Sequence, residues 1–194
     1  LTEVGERYTE HSSRELLRWQ DRLVLVDNAY GLRFFNLADP LQQVVEVMPQ
    51  LRSIHRSKLT RRSSLYRTEP VGNSNQDDFI NAMVELHTDL EPVDLLLELQ
   101  AIEHACYRRR DSGDKWGPRT MDLDIILFGN RRQHDSHLIL PHAEMQNRRF
   151  VLMPLLEIAG DVYIPGLGSL SWLLEHAPQM RIERLPDPPG LDSI

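Results

Sequence analysis

The feature that most restricts the fold of this chain is a short apolar run that carries two acidic side chains. The run MDLDIILF is apolar enough to form a buried strand, yet it contains Asp122 and Asp124. Side chains two positions apart point to the same face of a strand, so the carboxylates share one face. Leu123, Ile125 and Leu127 then take the other. Two adjacent anions are costly in an apolar element, so this face should bind a cation, either from the protein or a metal ion.

The elements predicted around this strand follow the order strand, helix, strand, strand, helix, strand. The first helix begins at Pro40 and is expected to end near Pro49. Residues 57–68 and 77–90 alternate like two antiparallel strands joined by a long loop, and a helix over residues 91–110 precedes the aspartate strand. This order predicts an α+β fold of the ferredoxin-like split βαβ type, an antiparallel sheet with helices packed on one face and the other face free for ligands.

The ends of the chain carry weaker patterns. After the aspartate strand, residues 148–160 and 169–177 predict helices, the second capped by Ser169, and residues 180–185 predict a last short strand. Near the start, residues 12–23 show a short helical pattern that runs into an apolar VLV. The chain is therefore expected to have three parts: an N-terminal extension of unknown role over residues 1–29, one folded domain over residues 30–185 and a flexible tail over residues 186–194.

The amino-acid composition excludes several classes of protein. The 194 residues, 41% of them hydrophobic, suffice for one domain with its own core. A single cysteine, Cys106, excludes an internal disulfide and suits a reducing compartment. With no long apolar run and no signal-peptide pattern, we expect a cytoplasmic protein with no membrane partner. The net charge of −7 argues against a nucleic-acid partner, and we expect a monomer.

Positive charge is concentrated near the aspartate strand. Between Arg108 and Arg119 there are four arginines and one lysine against two aspartates, and Arg148 and Arg149 follow later. Guanidinium groups match the geometry of phosphate oxygens, so this region predicts a phosphate-binding loop. For any single arginine, an ordinary solvated basic loop is the alternative.

Three motifs together resemble a known family. They are SSLYRTEPVG at residues 63–72, WGPRTMDLDIILFG at residues 116–129 and PHAEMQNRRFVLMPLLEIAGD at residues 141–161. In this order and spacing they resemble the 6-hydroxymethyl-7,8-dihydropterin pyrophosphokinases, over roughly residues 36–185. The resemblance implies a pyrophosphokinase domain at residues 30–185. Its implied activity is the transfer of pyrophosphate from ATP to the hydroxymethyl group of the pterin, with release of AMP, in folate biosynthesis.

The resemblance also implies three groups of site residues. The metal ligands are Asp122 and Asp124, which would hold two Mg²⁺ ions. The residues near ATP, the co-substrate, are Gln100, Glu103, Arg108, Arg110, Trp116, Arg119, Ile125, His142 and Arg148, and the catalytic ones among them are Arg108, Arg110 and Arg119. The residues that would bind the pterin are Thr68, Val71, Phe79, Asn81, Trp116 and Phe150.

General chemistry agrees with these assignments. A triphosphate needs its charge neutralised and its oxygens held in line before a hydroxyl can attack the β-phosphorus. Mg²⁺ does this with a few carboxylates, waters and substrate phosphates. We expect the loop over residues 108–115 to close over ATP and exclude water. A flat pterin favours aromatic faces and an amide at its edge.

Several site residues have simpler alternatives. Gln100 and Glu103 could belong to an ordinary solvated helix face, and Phe79 and Phe150 could be core residues. A zinc site at the histidines of HDSHLILPH, residues 134–142, is one alternative, but their spacing fits no regular ligand pattern and zinc is disfavoured. We expect His142 instead to donate to a phosphate, since imidazole protonates near neutral pH.

The start of the domain departs from the family pattern. The family ends its first strand in Gly-Ser-Asn, whereas here Arg33, Phe34 and Phe35 precede Asn36. Two phenylalanines are bulkier than Gly-Ser and more restricted in backbone angle. A catalytically impaired relative that binds nucleotide or pterin is therefore one alternative function. An RNA-binding module on a ferredoxin-like sheet is another.

Overall fold

The structure, a computed structural model, describes residues 23–27, 40–69, 78–108 and 122–191. The helices in these ranges are α1 (Pro40–Arg52), α2 (Pro92–Arg108), α3 (Arg149–Ala159) and α4 (Leu170–His176). The strands are β1 (Leu23–Asp27), β2 (Ser57–Arg62), β3 (Leu65–Thr68), β4 (Phe79–Asn81), β5 (Met83–Thr88), β6 (Asp124–Phe128), β7 (Gln133–His134), β8 (Ile139–Leu140), β9 (Tyr163–Ile164), β10 (Gly168–Ser169) and β11 (Ile182–Leu185). None of these helices has the length and apolar character needed to cross a bilayer.

The main sheet is antiparallel, with the strand order β2-β5-β1-β6. Because α1 connects β1 to β2 and α2 connects β5 to β6, the arrangement is the ferredoxin-like split βαβ. The predicted fold class is confirmed. Asp124 begins β6, whereas Asp122 precedes the strand instead of lying within it.

β1 lies within residues 1–29, the segment that is predicted to be an N-terminal extension of unknown role. Its residues LVLVD pair with β5 on one side and β6 on the other, so β1 lies in the interior of the sheet. A short run with alternating valines suits such an interior strand. The sheet therefore extends into residues 1–29.

Each of the two predicted long strands is divided in two. β2 pairs with β5 in the main sheet, while β3 pairs with β4 and β11 in a second sheet. At the corner, the Ser63 N–H donates to the Met83 carbonyl at 2.8 Å, and the Met83 N–H donates to Ser63 Oγ at 2.9 Å. The serine hydroxyl satisfies a backbone donor where the chain leaves one sheet for the other, so the bend leaves this N–H paired.

Residues of β5 alternate between two cores. Val84 and Leu86 pack with α1 and α2, whereas Met83 packs with α3 and α4. Since neighbouring residues of a strand point to opposite faces, the second core covers part of the face that was expected to be free for ligands. Leu127 also belongs to this second core, so its predicted place beside Leu123 is wrong. The register of β1 and β6 shifts here, and such an irregularity interrupts the side-chain alternation.

α1 does not end at Pro49 as predicted but continues to Arg52. A proline in a helix loses one backbone hydrogen bond. Val47, Met48 and Leu51 are buried in the first core, and their burial offsets this loss by stabilising the last turn. Intrinsic propensity is therefore overridden by packing at this helix end.

The C-terminal elements agree with the sequence patterns. Ser169 caps α4 by accepting a hydrogen bond from the Trp172 N–H at 3.3 Å. The predicted flexible tail contacts the domain over its first residues. Arg62 donates to both carboxylate oxygens of Asp187, at 3.1 and 2.6 Å, and Leu191 is buried in the first core.

Candidate functional site

One end of the main sheet collects the acidic residues and the start of β5. Across the sheet, Met83 of β5 is the register partner of Asp27 of β1, and Asp27 is the register partner of Asp124 of β6. Adjacent strands lie about 4.8 Å apart, so Met83 and Asp124 are separated by roughly 10 Å. Asn81 comes two residues before Met83, which puts a predicted pterin residue at the same end of the sheet as a predicted metal ligand.

The two aspartates alternate with core residues. Asp122 is buried and Asp124 is half-buried, while Leu123 and Ile125 both pack in the first core. This alternation agrees with the predicted common face of the carboxylates.

Glu103 of α2 fixes the peptide between the two aspartates. Its Oε1 accepts a hydrogen bond of 2.6 Å from the Leu123 N–H. A carboxylate acceptor makes such a bond shorter and stronger than a neutral amide would. Glu103 therefore joins the helix that leads into the arginine-rich segment to the start of the aspartate strand.

The donor set of this region fits Mg²⁺. Carboxylate oxygens are hard ligands, and Mg²⁺ commonly takes one or two of them and completes its shell with waters and phosphates. Within the described ranges, no cluster of three or more histidine, cysteine, aspartate or glutamate side chains could hold a metal ion. Two acids separated by one residue therefore suit a metal that shares its ligands with a phosphorylated substrate.

Thr68 and Asn81 form a buried polar pair in the second sheet. The Asn81 Nδ2 donates to Thr68 Oγ1 at 2.7 Å, and both side chains are almost completely buried. With its N–H₂ group bound to Thr68, the Asn81 amide has its carbonyl oxygen as an acceptor for a ligand. Phe79, the register partner of Thr68, is half-buried at the start of β4.

Phe150 lies in a hydrophobic core, which is the alternative that its residue type suggests. It lies at the start of α3, is 9% exposed and packs in the second core. Its role as a stacking platform stays a prediction.

The strand that carries Thr68 is held by a carboxylate for which the sequence predicts no role. Glu157 of α3 accepts hydrogen bonds from the Ser64 N–H and hydroxyl, from the Tyr66 hydroxyl at 2.9 Å and from Arg184. Burial, together with this bond to Glu157, raises the pKa of Tyr66 to about 12, so its hydroxyl remains protonated and a donor. Glu157 lies within the third motif, but the sequence does not reveal its role, because its partners are distant along the chain.

His142 is neutral at physiological pH, contrary to the expectation of a protonated imidazole. Burial and the positive charge of Arg148 lower its pKa to about 4, against a raising effect of Glu144. The Glu144 N–H donates to Nδ1 at 3.2 Å, so the ring proton resides on Nε2. A neutral ring can still donate a hydrogen bond to a phosphate from Nε2.

His142 and Arg148 lie close together and near β6. The His142 N–H donates to the carbonyl of Ile126 at 2.9 Å, two residues beyond Asp124. The Arg148 side chain is buried. Ile125 packs in the first core, so only its backbone could meet a nucleotide.

The remaining predicted residues divide into two groups. Gln100 is exposed on α2, as an ordinary solvated helix face predicts. Arg108 is the last residue of α2, and nothing is described of its side chain. The other predicted residues lie outside the described ranges: Val71, Arg110, Trp116, Arg119, the triplet Arg33–Phe35 and the expected closing loop.

The histidine-rich segment forms a hydrogen-bonded turn. Asp135 accepts hydrogen bonds from the N–H groups of His137 and Leu138, both at 2.9 Å, and from the side-chain amide of Gln133. These bonds lower the pKa of Asp135 below its ordinary value. The carboxylate therefore has a structural role between β7 and β8.

Comparisons of the chain with known proteins all identify the same family. The family model described as 7,8-dihydro-6-hydroxymethylpterin-pyrophosphokinase (HPPK) matches residues 35–160. The chain is 40% identical over 162 residues to 2-amino-4-hydroxy-6-hydroxymethyldihydropteridine pyrophosphokinase of Pseudomonas aeruginosa, covering 84% of this chain and 99% of that protein. It is 38% identical over 140 residues to the protein of the same name from Haemophilus influenzae, covering 72% and 86%. The corresponding Bacillus subtilis protein is 43% identical over 122 residues, covering 63% and 70%.

Proposed function

Because the chain belongs to the 7,8-dihydro-6-hydroxymethylpterin-pyrophosphokinase family, we infer that it transfers pyrophosphate from ATP to the hydroxymethyl group of 6-hydroxymethyl-7,8-dihydropterin. AMP is the second product. The chain is thus a transferase of folate biosynthesis. The observation that carries this conclusion is the family match over residues 35–160, which includes both aspartates. A catalytically impaired relative is not favoured, and an RNA-binding module has no support in the match.

We propose that Asp122 and Asp124 hold two Mg²⁺ ions beside the triphosphate. When bound, Mg²⁺ neutralises phosphate charge and polarises the transferred group. The protein contributes two carboxylates at a defined end of the sheet, and Glu103 restrains the peptide between them. Their alternation with buried Leu123 and Ile125 supports a common orientation toward the substrates.

Neutral and cationic donors from separate segments would bind the triphosphate. His142 donates from Nε2, and Arg148 supplies a guanidinium beside it. The family resemblance adds Arg108, Arg110 and Arg119 as the catalytic cations. Arginine suits this task because its planar fork binds two phosphate oxygens at once and remains charged at any physiological pH.

The pterin would be recognised at its edge and faces. The Asn81 carbonyl oxygen would accept a hydrogen bond from an N–H of the pterin, since its amide nitrogen is bound to Thr68. By resemblance, Phe79 and Phe150 stack on the ring, and Val71 and Trp116 complete the pocket. The shared sheet end brings Asn81 toward the aspartates, as transfer between two bound substrates requires.

The pterin hydroxyl attacks the β-phosphorus directly in this proposal. No covalent enzyme nucleophile is assigned, so the protein accelerates the reaction by holding both substrates in line and stabilising charge. Phosphoryl transfer depends mainly on such positioning.

We further propose that the enzyme is a cytoplasmic monomer.

Product analysis tests this function. The purified protein is incubated with ATP, MgCl₂ and 6-hydroxymethyl-7,8-dihydropterin, and the nucleotides are separated by anion-exchange chromatography. AMP and pterin pyrophosphate should form in equal amounts. Formation of ADP and a monophosphorylated pterin would contradict attack at the β-phosphorus. If calorimetry shows ATP binding but no AMP is formed, the alternative of a catalytically impaired relative would be supported.

A further inference from the structure

A cavity of about 460 Å³ lies between the β7–β8 hairpin and the turn that follows β9. It borders His142, and part of its lining, including Gln146, belongs to the third motif, but none of the lining residues other than His142 is assigned a role by the resemblance. Its polar lining includes Arg132, Gln133, His134 and Gln146, and its apolar lining includes Ile139, Leu140, Pro165 and Leu167.

The Arg132 guanidinium is seated against a glycine of the opposite wall. A Cβ placed on Gly166 would be 3.0 Å from Arg132 Cζ, and Gly166 has a φ of +81°, which glycine adopts without strain. The missing side chain therefore lets the guanidinium approach the turn closely. This contact holds the positive charge at the cavity.

Arg132, unlike its neighbour Arg131, has no anionic partner in the part of the chain that the structure describes. Arg131 donates to Glu91 at 2.6 Å on the outer surface. Among the described residues, no carboxylate lies within ion-pair distance of Arg132. Arg132 is solvent-exposed at the rim of the cavity, so its guanidinium, with no counter-ion among the described residues, is accessible to an anionic ligand.

Two acceptors in the wall have no hydrogen-bond partner among the described residues. They are the buried amide oxygens of Gln133 and Gln146. Such groups are stabilised by a donor, for which a hydroxyl or amino group of a ligand is suitable. The apolar wall favours a flat uncharged portion. A ligand that combines an anionic group, hydroxyl or amino donors and a flat ring is a nucleoside phosphate. Inorganic phosphate would bind only the arginine.

We propose that this cavity is part of the nucleotide site and that Arg132 binds a phosphate of the nucleoside phosphate there. The Gln133 and Gln146 oxygens accept hydrogen bonds from the nucleoside. The identity of the nucleotide as ATP, or AMP after transfer, rests on the proposed function, through His142, which lines the same cavity. Arg132 is then a binding residue outside the three motifs.

Calorimetric titration of AMP into the intact protein tests this proposal. Arg132→Gln should weaken AMP binding about 10-fold, because a charge-assisted hydrogen bond contributes more than a neutral one. Arg131→Gln is the matched control, and its AMP affinity should equal that of the wild type. Gln146→Met, of similar volume, should weaken AMP binding too but leave binding of inorganic pyrophosphate unchanged. Adenosine should bind Arg132→Gln and wild type equally.

The outcomes separate this proposal from the proposed function. Wild-type affinity for AMP in both Arg132→Gln and Gln146→Met, with unchanged melting temperatures, would overturn the cavity assignment. Failure of the wild type to bind AMP at millimolar concentration would overturn it as well. A protein that forms no AMP from ATP and pterin, yet binds AMP in an Arg132-dependent manner, would refute the reaction and leave the site standing.

Discussion

Glu103 accepts a hydrogen bond of 2.6 Å from the backbone N–H of Leu123, the residue between Asp122 and Asp124. The carboxylate comes from α2, whose end leads into the arginine-rich segment, and the N–H belongs to the residue just before β6. One short bond thus connects two segments to which the proposed mechanism assigns phosphate and metal binding.

Removal of this bond should raise the magnesium requirement. Glu103→Ala frees the peptide between the aspartates, so we expect the Mg²⁺ concentration for half-maximal AMP formation to increase several-fold. Glu103→Gln keeps an acceptor oxygen and should stay closer to the wild type. Magnesium titrations of the rate at saturating ATP measure this. Identical magnesium curves for Glu103→Ala and wild type would show that Glu103 does not position the aspartates.

Loss of either acidic ligand should abolish most activity without unfolding the protein. Asp122→Asn and Asp124→Asn each remove one of two close anions, which relieves repulsion when no metal is bound. We expect turnover to fall roughly 100-fold or more, as loss of an electrostatic contribution of a few kcal/mol implies. Activity assays and circular dichroism measure the two effects. Wild-type turnover of either variant at limiting magnesium contradicts the metal assignment, and EDTA should stop the wild type.

The Thr68–Asn81 pair should control pterin affinity. Thr68→Val leaves the buried Asn81 amide without its acceptor, which costs about 1 to 3 kcal/mol of stability and frees the amide to rotate. We expect the KM for the pterin to rise several-fold while the KM for ATP stays constant. Thr68→Ser retains the hydroxyl and is the control. Equal rises of both KM values would indicate general loosening of the site.

The half-buried His142 should make the protein less stable in acid. Its pKa of about 4 in the folded chain lies below the ordinary value of 6.5, so the unfolded chain binds more protons between these pH values. The free energy of unfolding therefore falls as pH drops through this window, by about 1 to 2 kcal/mol at pH 5 after solvent screening.

Urea unfolding at pH 7 and pH 5 measures this contribution. His142→Gln has no titrating ring, so it should lose less stability between the two pH values than the wild type. If both proteins lose the same amount of stability, the titration of His142 is not the cause of the loss. Other histidines and carboxylates contribute equally to the two proteins and cancel in the difference.

Local sequence patterns determined much of the secondary structure of this protein. α2, α3 and α4 follow from apolar periodicity, which acts within a few residues, and Ser169 caps α4 as its position predicts. The alternation around Asp122 and Asp124 also survives in the structure. These features depend on interactions between near neighbours in the chain, so the sequence alone contains them.

Only the tertiary structure decided the features that need a distant partner. β1 is a strand because β5 and β6 flank it, and α1 passes Pro49 because its last turn is buried. The pKa of His142 is low because folding removes water from the ring and brings Arg148 near. Arg132 faces a cavity because Gly166, 34 residues later, leaves room for its guanidinium. Sheet pairing, burial and charge proximity are relations between remote residues, and a local sequence pattern carries no record of them.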